Sequence, residues 1–399
     1  MTKRYLTEFR SLIYFQLYEK HKTELGDTLI GRGEFCNVFP VHQISLDDHL
    51  PRLTALNDKE RRQREAIARE CAGNTERYVI KQMRQDVHNF GMKRGIERLI
   101  YVLQKETHML RRIDHPNIIT LRAVSESDPI DESYFIVLDR LEYTLQDKIY
   151  EKWHSIYQYA MKKKGSIKNI LSFGRTYKKY GKSYKEELRS ERLKDMIDLA
   201  NALSYLHRNR MIYRDIKPEN VGFTSRGELK LFDFGLSRDL PKMAMCGFDQ
   251  YMMTGRTGSR RYMAPEVTLR RPYGISADVY AFGILMWEMM CLRRPFEGMT
   301  PDEHKVLVAA NGLRPNLGEA MIVKDFEIRM SSSFEKVPSE CSDLVALMAQ
   351  CWDDDLRRRP SMTNVHHRLR LALGTKVVRR SRSSLKTELI DEEESMSTY

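Results

Sequence analysis

Arg214, Asp215, Lys217 and Asn220 fall within seven consecutive residues, and Asp233 follows Asn220 by thirteen. These two carboxylates, one carboxamide and two cations lie in loops between hydrophobic stretches. Such a set suits the holding of metal-bound phosphates, because carboxylate and amide oxygens are hard donors for Mg2+ and the cations neutralise phosphate charge. Upstream, Gly31 and Gly33 stand in a tight turn between two predicted strands, the second running through Val38. Glycines allow close backbone approach, so amide N–H groups can face a phosphate with no Cβ in the way. Lys81 and Glu106, further along, complete this set of charged residues.

Regular elements must position these groups. Residues 78–81 alternate as a strand, residues 96–113 place Ile96, Leu99, Ile100, Leu103, Met109 and Leu110 at helical spacing, and residues 118–124 and 134–138 read as strands. Pro40 predicts that the strand after it lies at a sheet edge. Leu193, Met196, Ile197, Ala200, Leu203 and Leu206 form a helical stripe leading into the loop of Asp215. Residues 278–288 are apolar almost all round, as a buried central helix should be. A short amphipathic helix is expected over residues 5–19, and a partly helical charged insertion over residues 43–75. Residues 150–185 hold ten Lys or Arg against one acid, Glu151, with aromatic residues interleaved. This stretch reads as a mobile basic insertion that could meet an acidic docking partner or single-stranded nucleic acid. From residue 374 onward, charge blocks without apolar periodicity predict a disordered tail.

The loop around Asp215 and the Asp233-Phe234-Gly235 stretch resemble the catalytic and metal-binding loops of the protein kinase superfamily, read H-R-D-x-x-x-x-N and D-F-G, with Tyr213 at the usual His position. Gly31, Gly33 and Val38 match G-x-G-x-x-G-x-V, with Cys36 at the third glycine position. Residues 78–81 resemble V-A-I-K, with Val79 replacing the alanine over the adenine ring. The resemblance implies a role for each residue. Asp215 is the base that orients the substrate hydroxyl, Lys217 neutralises the transferred phosphoryl group, and Glu106 pairs with Lys81 on the α- and β-phosphates. Asn220 and Asp233 hold Mg2+. Ile30, Gly31, Gly33, Val38 and Val79 surround ATP, with Leu138 as gatekeeper and Asp139 to Leu141 as the adenine-binding hinge. Lys217 resembles the serine/threonine form of the loop, and the Trp287-Glu288 and Cys351-Trp352 pairs resemble the tyrosine-kinase-like branch of those enzymes. Within an activation segment over 236–263, Tyr251, Thr254 and Thr257 are regulatory phosphosite candidates that Arg214 could pair with once phosphorylated, and Ser259 aligns with the threonine that contacts the catalytic Asp and Lys. Asp278 is implied to anchor the catalytic loop, and Glu266 to pair with Arg359.

The implied fold is α+β and bilobal: a small, mainly antiparallel β lobe with helix C over residues 26–138, a hinge at 139–141, and a larger mainly helical lobe over 142–373, with MgATP in the cleft. Residues 1–25 form an N-terminal extension, and 374–399 the tail. The implied activity is transfer of the ATP γ-phosphoryl group to serine or threonine in protein substrates, under control of activation-segment phosphorylation; a pseudokinase scaffold, suggested by Cys36 and Val79, is the alternative. The net charge of +12 and the arginines of 256–261 favour acidic or phosphorylated substrates. Six cysteines without metal-ligand spacing fit a reduced cytoplasmic or nuclear setting, and no run of about 18 apolar residues predicts a membrane span.

Overall fold

The computed structural model describes residues 30–32, 36–41, 77–84, 93–124, 134–156, 174–241, 243, 245–247, 250–317 and 339–374. The expected helix over 5–19, Gly33, the insertion over 43–75, residues 157–173 of the basic insertion, and the tail beyond 374 lie outside these residues. The chain forms two compact units, Met1–Tyr143 with Gly222–Ser237, and Thr144–Val221 with Arg238–Tyr399.

The first unit is built on a five-stranded antiparallel sheet in the order β1-β2-β3-β5-β4, where β1 is Gly31–Arg32, β2 Cys36–Pro40, β3 Tyr78–Met83, β4 Leu121–Val124 and β5 Phe135–Asp139. Its register aligns Val38, Lys81 and Ile136 in one row and Pro40, Val79 and Leu138 in another. Residues two apart on a strand share a face, so Lys81 and Val79 point to the same side of the sheet. The strand after Pro40 is not at an edge, contrary to the expectation: β3 is the middle strand. Pro40 is tolerated because the Val41 N–H, one residue on, bonds the Tyr78 carbonyl at 2.9 Å, so the Pro40 nitrogen faces away from β3 and no bond of that ladder is lost. Helix α1, Lys93–Leu110, starts and stops three residues before the range read from the sequence. Its last turn tightens, with the Arg112 N–H bonding the Met109 carbonyl at 3.1 Å, and the chain then leaves the helix ahead of Pro116. Leu103, Glu106, Met109 and Leu110 make its buried face.

In the second unit the long helix α2, Gly174–Arg208, carries the stripe Leu193, Met196, Ala200, Leu203 and Leu206 into the core. It begins inside the stretch expected to be a loose insertion, because the pattern from 174 onward is compatible with helix and meets no proline. Helix α3, Ser276–Cys291, is buried from Ala277 to Cys291. Helix α4, Ser339–Cys351, packs against it. This apolar rod is the fixed element to which the loops of the unit are tied.

Candidate functional site

In the first unit, the Lys81 ammonium lies 2.6 Å from Glu106 Oε2 and 3.3 Å from Asp233 Oδ1. The second oxygen of Glu106 accepts the Phe234 N–H at 3.4 Å. Burial alone would push the Lys81 ammonium down, but the neighbouring charges of Asp233 and Glu106 reverse this and hold it above its usual range. For Glu106, burial raises the carboxyl against the pull of Lys81. The lysine therefore stays charged at a fixed point. Phe234 is buried, whereas the Asp233 side chain is 43% exposed. Asp233 adopts a left-handed φ of 62°, a conformation uncommon outside glycine that aspartate tolerates better than most side chains and that clusters at functional sites. Gly235 permits the turn that follows, since a Cβ there would come within 2.6 Å of Val102.

The other expected nucleotide residues of this unit fall on or beside the sheet. Ile30 donates its N–H to Val38 at 3.0 Å, and Leu138 lies opposite Val79, both buried. Gly31 sits in a strand where a Cβ would make ordinary contact with Val38 at 3.8 Å, so it is not required there by a positive φ. Asp139, expected in the hinge, is the last residue of β5, and its carboxylate holds Arg122 at 2.7 Å; only Arg140 and Leu141 follow the strand. Cys36 is buried, and burial pushes its thiol up to about 11 against the pull of Lys81.

In the second unit, both Asp215 oxygens are committed. Oδ1 accepts the Ser259 N–H and hydroxyl, each at 2.8 Å, while Oδ2 accepts Lys217 Nζ at 2.8 Å and Asn220 Nδ2 at 2.9 Å. Asn220 Nδ2 also reaches the Asp215 carbonyl at 2.9 Å, which turns the amide so that its oxygen remains as the acceptor end. The loop is hung from α3: Asp278 accepts the backbone N–H groups of Tyr213 and Arg214 at 2.8 Å each, and His207 Nε2 lies 2.9 Å from the same carboxylate. Arg214 has φ 73° and reaches the hydroxyls of Tyr273 at 3.2 Å and Thr254 at 3.3 Å. Glu266 and Arg359 form a buried two-bond pair at 2.6 and 3.0 Å.

Of the residues expected to be regulatory, Thr254 is exposed and bonded to Thr257 at 3.1 Å, and Ser259 is held on Asp215. Tyr251 is only 2% exposed, and its hydroxyl accepts Arg210 at 2.5 Å, so a modifying enzyme does not reach it in this conformation. Gly258 and His207 were missed by sequence reasoning. Gly258 has φ 96°, and a Cβ there would lie 2.2 Å from the Arg214 carbonyl oxygen. Its only signal in the chain is an isolated glycine between Thr257 and Ser259; His207 gives none beyond its place at the end of α2.

The donor chemistry fits magnesium. Asp233 in the first unit and Asn220 in the second each carry an oxygen of the hard type that Mg2+ accepts, and Mg2+ takes few protein ligands when phosphate and water supply the rest. Among the described residues no cluster of three or more His, Cys, Asp or Glu forms an all-protein metal cage. The half-buried, charged Lys81 suits a phosphate oxygen.

Comparison with known proteins agrees with this chemistry. The family model described as a protein kinase domain matches residues 64–369, more than half of the chain. The chain is 31% identical to the serine/threonine-protein kinase STY46 of Arabidopsis thaliana over 215 residues, 54% of this chain and 29% of that protein. It is 30% identical over 277 residues to the serine/threonine-protein kinase VIK and 26% identical over 289 residues to the serine/threonine/tyrosine-protein kinase HT1, both also of Arabidopsis thaliana. Those matches cover 68% and 72% of this chain, and 50% and 58% of the relatives. The chain thus spans between about a third and three-fifths of the length of these curated relatives.

Proposed function

The chain belongs to the protein kinase domain family, and on that premise we propose that it transfers the γ-phosphoryl group of ATP to serine or threonine hydroxyls of protein substrates. The observation that carries the proposal is Lys81 held between Glu106 at 2.6 Å and Asp233 at 3.3 Å, since a charged lysine set by two carboxylates is what α- and β-phosphate positioning needs. Asp215 takes the proton of the substrate hydroxyl, Lys217 balances charge on the transferred group, and Ser259 keeps Asp215 in place. Asp233 and Asn220 are the oxygens offered to magnesium, which when bound neutralises phosphate charge. Val38, Val79 and Leu138 contact the base, with Arg140 and Leu141 beyond them.

Thr254 and Thr257 are the regulatory hydroxyls in this reading, because Arg214 already reaches Thr254 and can pair with a phosphate there. The exposed Arg256 and Arg260 favour acidic or phosphorylated peptides. Among the described residues no helix is long and apolar enough to cross a membrane. The test is incorporation of labelled phosphate from MgATP into acidic and basic protein substrates, followed by phosphoamino-acid analysis. Phosphoserine or phosphothreonine supports the reading. Nucleotide binding without transfer, whether or not the 236–263 segment is phosphorylated, moves it to a pseudokinase scaffold.

A further inference from the structure

Glu288, on α3 and 1% exposed, accepts two phenol hydroxyls: Tyr150 on Oε1 at 2.5 Å and Tyr262 on Oε2 at 2.6 Å. Tyr150 belongs to the turn Lys148–Trp153. Other side chains of that turn are pinned to α2, with Lys148 on Asp195 at 2.6 Å, Lys152 on Glu191 at 2.9 Å and the Trp153 ring N–H on Glu191 at 3.2 Å. Tyr262 closes the turn Arg260–Tyr262 by donating its N–H to the Ser259 carbonyl at 3.0 Å, and Ser259 holds Asp215 through two bonds. One unbroken series of short hydrogen bonds therefore runs from Tyr150 through Glu288 and Tyr262 to the residue that touches Asp215, all inside one unit.

We propose that Tyr150 is a positioning residue for peptide substrate: by holding Glu288 it fixes Tyr262, and with it the 259–262 turn beside Asp215. The proposal rests on the kinase reading for its link to catalysis. Burial pushes the Glu288 carboxyl up to about 7 even against the pull of the two hydroxyls toward the charged form. Both carboxylate oxygens are thus used internally. Removing one donor leaves a buried acceptor unsatisfied, which is relieved only by rotation, protonation or entry of water. Each of these loosens Tyr262.

The test compares the full native chain with Tyr150→Phe, Glu288→Gln and the double variant. Amide hydrogen exchange over residues 259–264 is expected to quicken about tenfold in Tyr150→Phe while α3 stays protected, as in a local opening. With MgATP and a peptide, KM for peptide should rise about tenfold, KM for ATP should stay within about twofold, and Tyr150→Phe should add nothing in the Glu288→Gln background. Unchanged exchange over 259–264 overturns the proposal. Exchange that quickens equally in α3 also overturns it, because Tyr150 is then a general support. A native chain that transfers no phosphate to any substrate sinks the kinase reading instead, and the exchange comparison still decides the relay.

Discussion

His304 offers a prediction that can be worked through from the structure. It is 1% exposed, begins the turn His304–Ala310, and meets the Phe296 ring edge-on at 5.4 Å. Neither ring nitrogen has a hydrogen-bond partner among the described residues. Burial, with the nearby charges of Arg260 and Arg314, pushes its pKa from 6.5 down to about 4. The folded protein therefore binds this proton less readily than the unfolded chain, so the stability at stake is fully present above about pH 6.5 and is lost as pH falls toward 4. At about 1.4 kcal/mol per pH unit, lowering the pH from 7.5 to 5 costs about 2 kcal/mol at this one side chain. In His304→Leu that cost disappears, and the neutral form also loses the penalty of two orphaned nitrogens, worth about 1 kcal/mol or more at pH 7.5. All three tryptophans, Trp153, Trp287 and Trp352, lie in the second unit, so urea unfolding followed by tryptophan fluorescence reports on the unit that holds His304. The variant should be the more stable at pH 7.5, and the gap should widen by about 2 kcal/mol at pH 5. Parallel pH dependence in the two proteins would refute the reasoning.

Arg359→Leu leaves Glu266 buried without its two-bond partner and should cost about 3–5 kcal/mol in the same unfolding assay. A loss below about 1 kcal/mol would mean that water or another cation takes the place of Arg359. Gly258→Ala forces a Cβ against the Arg214 carbonyl at a φ of 96°. It should lower kcat/KM for peptide by about tenfold or more while MgATP binding measured by calorimetry holds, and an unaltered kcat/KM would show that the Arg214 loop yields freely. Glu106→Gln keeps a hydrogen-bond acceptor but removes a charge from Lys81. ATP affinity should fall by about tenfold in fluorescence titration, and a smaller change than that seen with Lys81→Met would assign most of the lysine's placement to Asp233.

The residues proposed as catalytic stood out in the sequence because such chemistry constrains type and spacing at once. Asp215, Lys217 and Asn220 must share one short loop to meet one another, and the structure brings them within 2.9 Å of Asp215. The buried helix α3 was legible for a different reason, its unbroken apolar circumference. Pro40 misled because edge placement is only one way to excuse a missing N–H; a nitrogen turned away from the paired strand is another. The start of α2 was missed because its lysine- and tyrosine-rich composition has no apolar stripe to reveal a helix. Tyr150, Glu288 and Tyr262 are separated by more than a hundred residues from first to last, and two tyrosines on one glutamate leave no periodic trace. The burial of Tyr251 likewise follows from the bridge it makes with Tyr273 and from Arg210, not from its neighbours in sequence.

The central claim is phosphoryl transfer centred on Asp215. Its most direct test is the rate at which the purified native chain moves labelled γ-phosphate from MgATP to protein serine or threonine, beside Asp215→Asn prepared in the same way. The account predicts transfer by the native chain, a drop of about a hundredfold or more in the variant, and nucleotide affinity that differs little between the two. Equal transfer rates in the two proteins would contradict it.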